Sequence, residues 1–204
     1  VARWLDQVLP ADLYLRSATS GAAADQAFLP ADLPQRAAAL PGVVRVEAAR
    51  VRTLTLAPDR PAVMLFARPL ADPAQSLPLL GPLVPADPRR PAVYVSEAVV
   101  SLYGVGPGST LQLPLGVTSL EVQVRGVWRD YARQFGSIVI DAGDYRRATA
   151  DTRQNDLALW LAPGASVDDV QRTLRAALGA DAALYDTASA AQLRTLSLAI
   201  FDRS

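Results

Sequence analysis

Three aspartates close in sequence, Asp130, Asp141 and Asp144, are the side chains here whose type and spacing could do chemistry. A carboxylate pair can run acid–base hydrolysis or hold a hard cation. Asp144, however, falls where a helix should begin, and a carboxylate there serves the helix N-terminus. Asp168-Asp169 has the same explanation, and neither spacing fits a calcium loop. The run Gly104-Val105-Gly106-Pro107-Gly108-Ser109 has the composition of a phosphate loop. Such a loop follows a strand and opens a helix, whereas these glycines follow a helix and lead into a strand. Gly104 is therefore read as a helix C-cap and Gly108 as a turn residue. Arg45, Arg50 and Arg52 on one strand, or Arg129, Arg133, Arg146 and Arg147, could gather an anion. With 17 Asp available as partners, solvated ion pairs are the default. Trp128, Trp160 and Phe66 are read as core anchors. Ser17, Ser96 and Ser137 have no base to activate them.

Composition narrows the chemistry further. The chain has 204 residues, with 20 Arg, 17 Asp and 3 Glu, and lacks Cys, His and Lys altogether. That excludes a Ser-His-Asp triad, a cysteine nucleophile and a lysine Schiff base. It also excludes a zinc site of Cys/His type. No catalytic, cofactor-binding or metal-ligating residue is assigned. Zero formal net charge argues against a nucleic-acid surface, which needs a concentrated positive field. The 37 Ala and the exclusive use of Arg suggest GC-rich codons and a bacterial source. Half the residues are hydrophobic, enough for one large domain or two small ones. No apolar run approaches the roughly 20 residues of a membrane span. Both ends read as cut helices, Val1 to Val8 and Ala190 to Phe201, the latter growing more apolar toward its end. A helical stalk leading into a membrane explains this better than a plain terminal helix.

The elements that must position these residues follow from periodicity and punctuation. Strands are predicted at Asp12 to Arg16, Val43 to Leu56 and Val63 to Ala67, with a short helix from Leu33 to Leu40 before Pro41-Gly42. A bulge is expected in the long strand near Ala48-Ala49, where alternation breaks. Seven prolines from Pro69 to Pro91 predict an irregular connection. A strand at Val93 to Val95 leads to a helix capped by Ser96 and ending near Tyr103. Strands follow at Leu111 to Leu115, Glu121 to Trp128 and Phe135 to Asp141, then a helix through Tyr145. Asp156 to Leu161 is a strand. Ser166 caps a helix whose stripe is Val167, Val170, Leu174 and Leu178, closed by Gly179. A strand at Ala182 to Tyr185 precedes the last helix. The pattern predicts an α+β fold: a split βαβ core, residues 1–68 and 136–204, interrupted by a smaller β-rich lobe, residues 69–135.

Two stretches carry a resemblance. Tyr94-Val95-Ser96-Glu97-Ala98, with Leu102-Tyr103-Gly104-Val105-Gly106-Pro107-Gly108-Ser109-Thr110-Leu111-Gln112-Leu113-Pro114, is one. Val124-Arg125-Gly126-Val127-Trp128-Arg129-Asp130-Tyr131, followed by Gly136-Ser137-Ile138-Val139-Ile140-Asp141, is the other. Both are similar to the extracytoplasmic domain of FtsX-like ABC transporter permeases, the group that includes the MacB and LolC/LolE types. Leu40-Pro41-Gly42-Val43 before a long strand fits the same domain. The order and spacing of these motifs carry the resemblance, from about Asp12 to Phe201. It implies a porter-like core with an inserted lobe and two helical stalks, on the periplasmic side of a bacterial inner membrane. It implies as partners the chain's own membrane helices and a cytoplasmic ABC ATPase, with a second permease copy and a periplasmic protein as further ones. It implies a non-enzymatic role: coupling the ATPase cycle to substrate export or handling in the periplasm. An extracytoplasmic ligand-sensing domain of a membrane receptor is the alternative, and a hydrolase built on Asp pairs ranks last.

Overall fold

The computed structural model describes residues 2–202. In chain order the elements are α1 (Ala2–Val8), β1 (Leu13–Ser17), α2 (Leu33–Ala38), β2 (Val43–Leu54), β3 (Val63–Arg68) and α3 (Pro73–Ser76). Then come β4 (Ala92–Ser96), α4 (Glu97–Tyr103), β5 (Thr110–Leu115), β6 (Thr118–Trp128), β7 (Ser137–Asp141) and α5 (Ala142–Thr149). The chain ends with β8 (Asp156–Leu161), α6 (Val167–Leu178), β9 (Tyr185–Ser189) and α7 (Ala190–Asp202). It forms two compact units, one from residues 1–48 with 153–204 and one from Ala49–Thr152. The borders expected at 68/69 and 135/136 do not coincide with these. Hydrogen bonding explains the difference: β3 pairs in parallel with β7, Leu65 opposite Ile138, and β7 pairs in turn with β4. The second unit therefore takes in β3, β7, α5 and the second half of β2.

The first unit is a split βαβ. β1 lies between β8 and β9 and is antiparallel to both, with Leu13 opposite Leu159 on one side and Ser189 on the other. β8 and β9 thus run parallel, joined across β1 by α6. The alternation of Leu13 and Leu15 sends both leucines to one face, where they meet Leu157, Leu159 and the α6 stripe of Val170, Leu174 and Leu178. Ser166 accepts a hydrogen bond from the Asp169 amide at 3.2 Å, so the predicted cap is present.

The second unit carries a sheet in the order β5-β6-β4-β7-β3-β2. Its core is Val63, Leu65, Val93, Val95, Val122, Val124, Ile138 and Ile140, closed over by Val99 and Tyr145. β5 and β6 form a hairpin turning at Gly116 (φ 83) and the fully exposed Val117. The proline-rich connection is ordered along β6. The Leu80 amide donates to Val127 O at 2.8 Å, Val84 to Arg125 O at 3.0 Å, and Arg129 to Pro78 O at 3.0 Å. Prolines lack the amide a continuous ladder needs, so the segment binds β6 at intervals rather than as a strand. Gly126 makes room for it, since a Cβ there would stand 2.5 Å from Leu83 Cδ2.

β2 is continuous through Ala48-Ala49 and its register with β3 is regular from Arg50 to Leu54. Arg50, at the start of that paired stretch, occupies an inward position that a hydrophobe would ordinarily fill, and is buried there.

Candidate functional site

Antiparallel pairing of β4 with β7 brings the end of one strand against the start of the other. The Ser137 amide donates to Ser96 Oγ at 3.0 Å. Ser96 therefore stands at the N-cap position of α4 without capping it; its hydroxyl is spent across the sheet instead. Ser137 Oγ donates to Asp130 Oδ2 at 2.7 Å, and the same carboxylate takes Arg133 at 3.1 Å and the Ala132 amide at 2.9 Å. The Asp130 side chain is 0 % exposed. Arg133 continues outward to lie 4.4 Å over the Phe66 ring. Gly136, at φ 105, fits beneath Val99, whose Cγ2 would be 2.6 Å from any Cβ. Five residues singled out from sequence, Phe66, Ser96, Asp130, Arg133 and Ser137, thus converge here. The cluster is a buried, saturated network. Its serine hydroxyl is sealed from solvent and its carboxylate is fully engaged, so it braces the 129–136 loop rather than attacking a substrate.

The other candidates are likewise absorbed by structure. Asp141, not Asp144, caps α5: its Oδ2 accepts from the Gly143 and Asp144 amides at 3.0 and 3.3 Å, while Oδ1 takes the Leu70 amide at 3.2 Å. Asp144 pairs with Arg147, and Asp169 with Arg172. Among the described residues no group of three or more acidic side chains is placed to hold a metal ion. Gly104 (φ 63) ends α4 and Gly108 (φ 92) turns the chain, as the order of elements predicted. Ser17 accepts the Thr19 amide.

The arginines do not gather into an anion site. Arg45 pairs with Glu47 and lies 4.2 Å over Trp160, and Arg52 donates to Tyr145 Oη at 3.3 Å. Arg129 bonds Glu97 at 2.9 Å and reaches Tyr131 as well; the Glu97 bond above all raises its pKa. Trp128 is a core anchor as expected, its Nε1 donating to Tyr94 O at 3.2 Å. Trp160 and Phe66 are not: each is half-buried beneath a guanidinium.

Sequence reasoning missed one partnership. Arg50 and Asp151, with side chains 4 % and 8 % exposed, form an ion pair at 3.0 Å. Tyr145 Oη donates to the same carboxylate oxygen at 2.9 Å. The signal was the failed alternation in β2. Apolar side chains exposed in the second unit include Val117 at the β5–β6 tip, and Tyr131 and Phe135 in the 129–136 loop.

No family model matches the sequence, and no curated protein matches it. Solved structures that share the fold include the following two. The periplasmic region of MacB from Actinobacillus actinomycetemcomitans superposes with a TM-score of 0.62 at 9 % identity, covering 94 % of each chain. The extracellular domain of the noncanonic ABC-type transporter YknZ, from Gram-positive bacteria, gives 0.54 at 14 % identity, over 87 % of this chain and 98 % of that one. The α+β architecture is therefore similar in fold to the MacB periplasmic region over 94 % of both chains. Among the described residues, no helix is long and apolar enough to cross a membrane.

Proposed function

We propose that this chain is the extracytoplasmic domain of an ABC transporter permease, held outside a bacterial inner membrane by the helices at its two ends. The observation that carries this reading is the fold likeness to the MacB periplasmic region over 94 % of both chains. The order of the glycine and strand motifs between Tyr94 and Asp141 supports it independently. Its work is mechanical. An ATPase on the cytoplasmic side changes the spacing of the membrane helices, and the two terminal helices pass that motion to the domain, which handles substrate through partner contact. The consumption of Asp130, Asp141 and Asp144 by caps and internal hydrogen bonds supports a role without catalysis. α1 and α7 are joined by the Asp6–Arg194 ion pair, a contact suited to helices that act together.

The test is to extract the full-length protein from membranes in mild detergent and ask what comes with it. The reading predicts an ATP-hydrolysing subunit or domain in the same complex. Isolation with no nucleotidase, together with saturable binding of a small polar ligand, would favour a receptor sensing domain instead.

A further inference from the structure

The chain passes from the first unit to the second twice, at 48/49 and at 152/153. Arg50 lies just inside the first crossing and Asp151 just inside the second. We infer that the buried Arg50–Asp151 pair is a clasp that ties these two crossings to one another, so that the second unit is entered and left through a single fixed point.

Three features carry the inference. The first is geometry: Arg50 Nε meets Asp151 Oδ2 at 3.0 Å, and the Arg50 guanidinium also donates to Val51 O at 3.0 Å, fixing it to its own strand. The second is anchorage. Tyr145, fully buried in the core of the second unit, donates to the same Asp151 oxygen, and Arg52 donates to the Tyr145 hydroxyl. Both crossings are thereby fastened to α5. The third is backbone conformation. Ala150, beside Asp151, is the one non-glycine among the described residues with positive φ, at 58°. An L-residue holds that conformation only where its surroundings impose it. Here the Ala150 amide donates to Arg146 O at 2.8 Å and the Asp151 amide to Thr149 Oγ1 at 3.1 Å, which turns Asp151 toward Arg50. A buried ion pair seldom stabilises a fold more than apolar side chains of equal size would, because desolvation offsets most of the attraction; its documented use is to select one arrangement among several. Placement at both crossings gives it an arrangement to select.

The test uses the absence of cysteine from this chain. Thr53→Cys and Thr152→Cys, both exposed, take spin labels in the otherwise unaltered chain, and the label–label distance distribution reports how firmly the crossings are held. Arg50→Met alone leaves a buried carboxylate unpaired and could unfold the protein, so the deciding variant is Arg50→Met/Asp151→Leu, which leaves no stranded charge. The clasp predicts that this double variant keeps a cooperative melt while its distance distribution broadens by about twofold, uniqueness being lost before stability. A distribution as narrow as the parent's overturns the inference. So does loss of the cooperative melt in the double variant, which would make the pair an element of stability rather than of position.

Discussion

Asp130 shows how a side chain with catalytic credentials becomes structural. Its neighbours in sequence suggested a carboxylate pair, but the loop from Arg129 to Phe135 folds back so that Ser137, Arg133 and the Ala132 amide occupy its oxygens. Replacing Ser137 with alanine withdraws one donor from a buried carboxylate, and should cost about 1–3 kcal/mol by urea unfolding. Ser166→Ala removes only an exposed helix cap and should cost about 1 kcal/mol. Gly136 makes a sharper case. Its φ of 105° and the 2.6 Å approach of Val99 leave no space for a methyl group, so Gly136→Ala should destabilise by about 3 kcal/mol. Gly126→Ala should cost less, because the atom it meets is the mobile end of Leu83. Ranking these variants by unfolding midpoint checks all of them at once. Local motifs could not foretell such partnerships, since Ser96 and Ser137 lie far apart in sequence and only strand pairing brings them together.

Among the elements, periodicity was a reliable guide wherever one face of a helix or strand is buried. The α6 stripe is legible because Val170, Leu174 and Leu178 recur at helical spacing on the core face. Leu174→Ala should lower stability by about 2–5 kcal/mol. Periodicity was silent on the proline-rich connection, whose order comes from β6 rather than from itself. At its far end Asp87 has a pKa held below the ordinary 3.8, first by the Arg89 amide and then by the Arg90 side chain, which also pairs with Glu121. A depressed carboxylate pKa contributes order that is present above 3.8 and is lost as pH falls through the lower, folded value. Amide chemical shifts of Asp87, Arg89 and Arg90 should therefore hold from neutral pH to below 3.8 before moving, and Arg90→Ala should bring the Asp87 midpoint back up. A midpoint at or above 3.8 in the parent protein would show that these bonds do not persist in solution.

For the whole molecule, the split βαβ core was legible in the sequence. Composition marked the prolines at 69–91 as an irregular connection, and they fold onto the second unit's own sheet, while the chain passes between the two compact units within β2. A border inside a continuous strand has no turn residues to announce it; only the buried Arg50 does. The functional claim rests at this same scale, on a fold shared over 94 % of both chains with the MacB periplasmic region. The most direct test is topological. Val117→Cys, at the fully exposed β5–β6 tip, gives the second unit a reactive thiol in the full-length protein. Spheroplasts treated with a membrane-impermeant maleimide should label it before lysis, in a protein that sediments with the membranes. Labelling only after lysis, or recovery of the labelled protein free of membranes, would contradict an extracytoplasmic permease domain.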